Sequence, residues 1–133
     1  PSKLLELLKE DFANGKSYET DTIQSLIAHE MGHNAHVALA LKTAKLEYGK
    51  PLSTIEYAIF QSAYEKIKQE IYVAAFTNES YQEKQYQCRK ELGLITIGKP
   101  QELIAQSFGN YYYGKSKSKI GEKIVKYFMK GLK

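Results

Sequence analysis

The chain has 133 residues, of which 43% are hydrophobic and 26% are charged, and its formal net charge is +4. This length suits one domain with one core, and the balance is that of a folded globular protein rather than a disordered one. No apolar run approaches the about 20 residues that a membrane-spanning helix needs, and no signal-peptide pattern opens the chain.

Apolar residues recur at helical spacing along almost the whole chain, which predicts a mainly α fold with little or no β-sheet. A first helix is predicted over residues 2–13. Asp21 is a favourable N-cap for a second helix. That helix should run to about Tyr48, where Gly49 and Pro51 stop it.

The middle of the chain also reads as helix. Ser53 caps a third helix that runs to about Phe76, and a polar fourth helix extends from Asn78 to near Leu92. The only strand-like stretch is the short segment 94–98. The third helix has an apolar stripe that comprises Ile55, Ile59, Ala63, Ile67, Ile71 and Ala74.

Two helices are predicted after this stretch. Pro100 suits the first turn of a fifth helix, which Gly114 and residues 115–118 interrupt. A last helix directs a set of apolar side chains toward the core, namely Ile120, Ile124, Val125, Phe128 and Met129.

Lysines are concentrated at the end of the chain. Residues 115–133 carry seven lysines and one acid, Glu122, so this segment alone has a charge of +6. Such a segment could bind nucleic acid or an acidic partner. A solvated helix face is the favoured alternative, because the segment contains no arginine and no groove-reading motif.

All three histidines of the chain fall within eight residues. His29, Glu30 and His33 form the pattern H-E-x-x-H on a predicted helix. Residues four apart lie on one face, about 6 Å apart along the axis, so two imidazoles can converge on one Zn²⁺ at about 2.0–2.1 Å. Glu30 can then take a proton from water and pass it to a leaving group. The alternative is a partly buried histidine pair with a surface glutamate.

His36 and Gly32 lie close to this motif. His36 is about 10.5 Å along the axis from His29, so a straight helix does not bring all three imidazoles to one ion. We interpret it as part of the pocket wall or as a donor that supports a ligand without touching the metal, with a surface histidine or a ligand as alternatives. Gly32 is expected to lower the stability of the helix by about 1 kcal/mol relative to alanine. Its missing side chain would let another element approach the metal, unless it is merely a tolerated surface glycine.

A catalytic zinc typically keeps three protein ligands and one open position. The chain has no further histidine, so the third ligand should be a carboxylate. Glu102 is the best candidate, because an acid among apolar residues is costly unless it is paired or metal-bound. Glu56, near the start of the third helix, is the main alternative. The single cysteine, Cys88, is expected to be a half-buried apolar side chain, with a catalytic thiol as the alternative.

Two segments together resemble a known family. Residues 27–33 and 102–108 are similar to H-E-x-G-H followed by E-x-x-A-[EQ]-x-F. This pairing is typical of gluzincin metallopeptidases, as in anthrax lethal factor-like domains and the zincin-like domains of phage minor head proteins. The resemblance covers residues 20–48 and 100–132, and the residues between them read as generic helix.

The resemblance implies a zincin-like domain that hydrolyses a peptide or protein substrate. It implies that His29, His33 and Glu102 bind Zn²⁺ and that Glu30 is the general base. It also implies that Gln106 supports a ligand histidine by accepting its imidazole N–H without touching the metal. Lethal factor-like domains have glutamate where this chain has glutamine. The alternative is a non-catalytic, zinc-stabilised structural or binding module of a phage or mobile-element protein.

Further expectations concern the oxyanion and the extent of the chain. A phenol near the zinc could stabilise the oxyanion, and Tyr18, Tyr111, Tyr112 or Tyr113 are candidates, with ordinary packing as the alternative.

Because the sequence begins at Pro1, we expect residues 1–133 to be one domain, processed or excised from a longer parent. No membrane partner is expected, and a cytoplasmic or virion-associated location is favoured.

Overall fold

The computed structural model describes residues 23–133, and regular structure there is helical. The described residues contain no β-strand, so the mainly α prediction is confirmed for this part of the chain. The predicted helix over residues 2–13 and the cap at Asp21 lie outside it. The helices are α1 (Ile23–Thr43), α2 (Thr54–Ala75), α3 (Tyr81–Leu92), α4 (Pro100–Tyr113) and α5 (Lys119–Leu132), with a 3₁₀ turn at Leu94–Thr96.

Helix α1 ends at Thr43, earlier than the predicted end near Tyr48. The N–H of Leu46 donates to the carbonyl of Leu41 at 2.9 Å, and the N–H of Lys45 donates to the carbonyl three residues before it at 3.1 Å. This pair of bonds is a Schellman motif. Lys45 has the left-handed φ of 59° that the motif requires, in a position usually held by glycine.

Serine caps begin the next two helices. The hydroxyl of Ser53 accepts the N–H of Glu56 at 3.2 Å, and the carboxylate of Glu56 accepts the N–H of Ser53 at 3.0 Å, which completes a capping box. Ser80 caps the first turn of α3 in the same way at 3.2 Å. Helix α3 therefore begins at Tyr81 and not at the predicted Asn78.

The segment 94–98 is a turn and not the predicted strand-like stretch. The hydroxyl of Thr96 donates to the carbonyl of Gly93 at 2.7 Å, and the Thr96 side chain is fully buried. A strand needs a neighbouring strand to pair with its backbone groups. The described residues offer none, so local turn bonds satisfy this backbone instead.

One apolar cluster joins all five described helices, and α1 packs most extensively against α4. None of these helices combines the length and apolarity needed to cross a lipid bilayer. The largest fully buried side chains of this cluster come from four helices. They include Ile71, Leu92, Leu103, Ile104, Ile124 and Phe128.

The predicted apolar stripes are correct only in part. The buried row of α2 begins at Ala63, so Ile59 and Ile55, which lie one and two turns earlier, are exposed. Ala75 is buried in place of Ala74. Met129 is also exposed, although the rest of the α5 stripe is buried as predicted. It lies about 100° around the helix from Phe128, which ends the buried row.

Candidate metal centre

The carboxylate of Glu102 reaches both histidines of the motif. His29 Nε2 lies 3.5 Å from one carboxylate oxygen of Glu102, and His33 Nε2 lies 3.7 Å from the other. The two imidazoles meet edge to face, with ring centroids 5.0 Å apart. The structure thus brings together the three predicted ligands, two from α1 and one from the first turn of α4.

Helices α1 and α4 are in backbone contact at this point. A Cβ built on Gly32 would lie 2.8 Å from the Cα of Ala105 and 3.1 Å from the carbonyl oxygen of Ile104. Gly32 stands between the two motif histidines, and Ala105 follows Glu102 by about one turn. The predicted close approach of another element is confirmed, and the surface-glycine alternative is wrong because Gly32 is buried.

The observed separations suit a metal ion better than a direct hydrogen bond. Two ligand atoms bound tetrahedrally to Zn²⁺ at about 2.0–2.2 Å are about 3.4 Å apart. The separations of 3.5 and 3.7 Å between the imidazole and carboxylate atoms are close to this value. An N–H···O bond usually measures about 2.7–3.2 Å, so the contact between His29 and Glu102 is long for a hydrogen bond.

Electrostatics keep Glu102 ionised. A long hydrogen bond from His29 lowers the pKa of the Glu102 carboxyl, against the opposing effect of burial. The charges of His29, His33 and Lys99 lower this pKa further. A deprotonated carboxylate beside two imidazoles is a donor set that Zn²⁺ prefers.

Glu30 offers a second possible arrangement. His29, Glu30 and His33 each have a ligand atom within 4.8 Å of the other two, so these three residues could hold a metal ion. Glu30 is exposed, however, whereas the side chain of Glu102 is 24% exposed and touches both imidazoles. We give more weight to Glu102 as the third ligand, because a half-buried carboxylate gains more from a metal than a solvated one.

Glu56, the alternative third ligand, serves another purpose. Its carboxylate accepts the backbone N–H of Ser53 at the start of α2. This bond engages the Glu56 carboxylate at the start of α2, where it helps to satisfy the helix terminus.

His36 is fully buried against α2, so the surface alternative is wrong. Its Nε2 lies 3.0 Å from the carbonyl oxygen of Tyr64, and because a carbonyl only accepts, this nitrogen carries the proton. The two rings stack at 3.7 Å with an angle of 8°. Burial lowers the pKa of His36 to about 4 from its ordinary 6.5, and the charges of Lys68 and His33 act in the same direction.

Gln106 and Cys88 are both buried. Gln106 follows Glu102 by about one turn of α4, and its contact with a ligand histidine stays a prediction. Cys88 is fully buried rather than half-buried, and burial together with the charge of Glu91 raises the pKa of its thiol to about 12. The thiolate needed for catalysis is therefore scarce near neutral pH, which disfavours the catalytic-thiol alternative.

The three tyrosine candidates among the described residues lie away from the motif. Tyr111, Tyr112 and Tyr113 follow Glu102 on the same helix by about 13–17 Å along the axis, and Tyr18 is outside the described residues. Sequence reasoning missed Tyr64, which stacks on His36 and whose pKa is raised by burial and by charges that include Glu102. No local sequence signal distinguishes it, because only the packing of α2 against α1 places it here.

Several lysines of residues 115–133 have partners within the protein. The ammonium of Lys117 donates to the carbonyls of Asn110 and Tyr111 at 3.3 and 3.0 Å. It therefore caps the end of α4. Lys126 pairs with Glu122 at 2.8 Å. Binding of nucleic acid by this segment stays a prediction.

Comparison with family models, curated protein sequences and solved structures finds no match to this chain. The described residues nevertheless define a helical protein with a candidate metal site where two helices cross. Its chemistry has to be argued from the residues themselves.

Proposed function

We propose that this protein is a zinc-dependent metallopeptidase in which His29, His33 and Glu102 hold the metal and Glu30 is the general base. The observation that carries this proposal is the approach of the Glu102 carboxylate to the Nε2 atoms of both motif histidines, at 3.5 and 3.7 Å. Two imidazoles and one carboxylate form the ligand set of a well-known class of catalytic zinc sites.

The reaction is hydrolysis of a peptide bond. When bound, zinc supplies a Lewis acid that polarises the scissile carbonyl and lowers the pKa of water toward about 7. Glu30 accepts a proton as the water oxygen forms a bond to the carbonyl carbon. Glu30 then delivers this proton to the amide nitrogen as the carbon–nitrogen bond breaks, so that an amine and a carboxylic acid result.

The environment of each residue suits its proposed role. The side chains of His29, Glu102 and His33 are 14%, 24% and 30% exposed, so all three proposed ligands are partly withdrawn from water. Glu30 is exposed, which allows it to exchange protons with solvent between turnovers. The gluzincin resemblance of residues 27–33 and 102–108 supports the same division of roles.

A cleavage assay with zinc analysis tests this proposal. We expect wild-type protein to bind one zinc ion and to cleave denatured casein. Glu30→Gln should retain the zinc and lose at least about 100-fold in rate, because general acid–base catalysis contributes about 10²–10⁴-fold. Glu122→Gln removes another exposed carboxylate, one paired with Lys126 on α5, and should cleave as fast as wild type.

Two outcomes would overturn the proposal. Absence of cleavage by the zinc-saturated wild type would point to the non-catalytic module. Equal rates for wild type and Glu30→Gln would remove Glu30 from the mechanism.

A further inference from the structure

Three large apolar side chains of α1 are exposed on a side of the helix that the core does not cover. Ile23, Ile27 and Met31 are 53%, 57% and 46% exposed. Because they are spaced four residues apart, they share one side of the helix and extend over about 12 Å along its axis. We call these three residues the α1 stripe.

The composition of α1 does not suit a helix with a solvated side. Glu30 is the only aspartate, glutamate, lysine or arginine in residues 23–41. Helix α5, by contrast, has lysine or glutamate at most of its exposed positions. A helix that is apolar on more than one side is normally covered on each of them, so the α1 stripe has the character of a contact surface.

A matching stripe is predicted in the part of the chain that precedes α1. The sequence of residues 2–13 predicts a helix in which Leu4, Leu8 and Phe12 have the same four-residue spacing. The other side of this predicted helix is charged and includes Lys3, Glu6, Lys9 and Glu10. A helix of this length is marginal in water by itself, so its apolar side needs a surface to pack on.

The connection between the two stripes has a suitable length and composition. Residues 14–22 separate the predicted helix from Ile23, and nine extended residues span at most about 30 Å. This exceeds the about 18 Å length of a helix of twelve residues. Asn14 and Gly15 favour a turn directly after the predicted helix. The segment 2–13 is therefore able to fold back onto the helix that follows it.

We infer that residues 2–13 form an amphipathic helix that packs on the α1 stripe. Attachment through a short connection favours this occupant over a separate molecule, because it gives the segment a high effective concentration at the surface. The packed segment stands beside Glu30, which is about 60° around α1 from Ile27. The inference does not depend on the proposed peptidase activity.

Alkylation of an introduced cysteine measures whether the α1 stripe is covered. The natural cysteine, Cys88, does not compete, because it is fully buried and its thiol has a pKa of about 12. We expect iodoacetamide to modify Ile27→Cys at least about 10-fold more slowly than Ile59→Cys in the full chain. Ile59 is the matched control, because it is an isoleucine of similar exposure, 47%, on α2.

Two pairs of substitutions show which side of the segment makes the contact. Leu4→Gln combined with Leu8→Gln removes apolar side chains but retains good helix formers. In this background, the cysteine at position 27 should react as fast as the one at position 59. Glu6→Gln combined with Lys9→Gln alters the charged side without changing the net charge, and it should leave the slow reaction as it is.

Cross-linking tests the same contact without weakening it. Leu8 and Ile27 are the middle members of the two stripes, so they face each other whether the two helices run parallel or antiparallel. A short bis-maleimide should join Leu8→Cys to Ile27→Cys within one chain. It should not join Leu8→Cys to Ile59→Cys.

Several outcomes would overturn the inference. One is equal alkylation at positions 27 and 59, and another is slow alkylation at position 27 that the two leucine substitutions do not accelerate. A cross-link between positions 8 and 27 that joins two chains would assign the α1 stripe to a second copy instead. If the leucine substitutions also make Cys88 reactive, the protein has unfolded more widely, and absence of the cross-link within one chain then overturns the inference.

Discussion

Gly32 on α1 lies against Ala105 on α4, so closely that a Cβ on Gly32 would stand 2.8 Å from the Ala105 Cα. The obstacle is backbone and not a flexible side chain, so neither helix can yield without moving as a whole. This contact sets the distance between the histidines of α1 and the carboxylate of Glu102. The geometry of the candidate metal centre therefore depends on a residue that has no side chain.

Replacing Gly32 with alanine should destabilise the fold and weaken the metal site together. Overpacking costs about 1–3 kcal/mol, which outweighs the about 1 kcal/mol that alanine gains in a helix. We expect the free energy of unfolding to fall by up to about 2 kcal/mol in urea titrations. Zinc affinity, measured by chelator competition, should fall as well, because the helices must separate.

Gly121→Ala is the matched control for this change. Its added Cβ would meet only ordinary contacts, at 3.4 Å from the Cβ of Ser118 and 3.5 Å from the Cα of Ser107. We expect this variant to be as stable as wild type or up to about 1 kcal/mol more stable. Wild-type stability and zinc affinity in Gly32→Ala would contradict the proposed role of the crossing.

The choice of third ligand is also testable. Glu102→Gln should lower zinc affinity by more than about 10–100-fold, which is the typical loss when a residue hydrogen-bonded to a metal ligand is replaced. Glu56→Gln should leave zinc affinity unchanged and lower stability only slightly, because glutamine can still complete the capping box and only the favourable negative charge at the helix N-terminus is lost. Competition titrations with a chromophoric chelator measure the zinc affinity of both variants. Zinc affinity that depends on Glu30 and not on Glu102 would instead support His29, Glu30 and His33 as the ligands.

Burial of His36 should make stability depend on pH. The folded protein protonates His36 only near pH 4, whereas the unfolded chain protonates it near 6.5. The contribution of neutral His36 to the free energy of unfolding is fully present above about pH 6.5 and is lost as the pH falls toward 4. For this fully buried side chain the loss amounts to about 3 kcal/mol.

Urea unfolding of the metal-free protein between pH 4 and 7.5 measures this dependence. His36→Gln retains a donor for the carbonyl of Tyr64 but has no group that titrates, so its stability should fall less steeply over the same interval. Parallel curves for wild type and His36→Gln would show that His36 is not the titrating group.

The left-handed backbone conformation of Lys45 at the end of α1 predicts that replacing this residue with glycine stabilises the protein. A non-glycine residue in the left-handed region costs about 1–2 kcal/mol, and Lys45 has a φ of 59°. Lys45→Gly should raise the free energy of unfolding by about 0.5–1 kcal/mol, after allowance for the greater freedom of glycine in the unfolded chain. Lys45→Ala retains the strain, so calorimetry should find no gain for it.

Much of the local structure could be predicted from sequence. Helical spacing of apolar residues, the cap at Ser53 and the first-turn proline Pro100 located the described helices, because these signals act over only a few neighbouring residues. The secondary-structure predictions failed where the local preference of a segment competes with its tertiary surroundings. The β-branched Ile95 and Ile97 suggested a strand-like stretch, but that segment has no partner strand and closes into a turn.

By itself, the sequence determined that His29 and His33 share one helical face, since four-residue spacing fixes that without any tertiary contact. The sequence also indicated that a third metal ligand should be a carboxylate, because the chain has no further histidine. Only the tertiary structure placed Glu102 rather than Glu56 beside the imidazoles, and stacked Tyr64 on His36. Contacts between distant helices depend on how whole surfaces pack, such as Gly32 against α4, and periodicity within one segment carries no information about them.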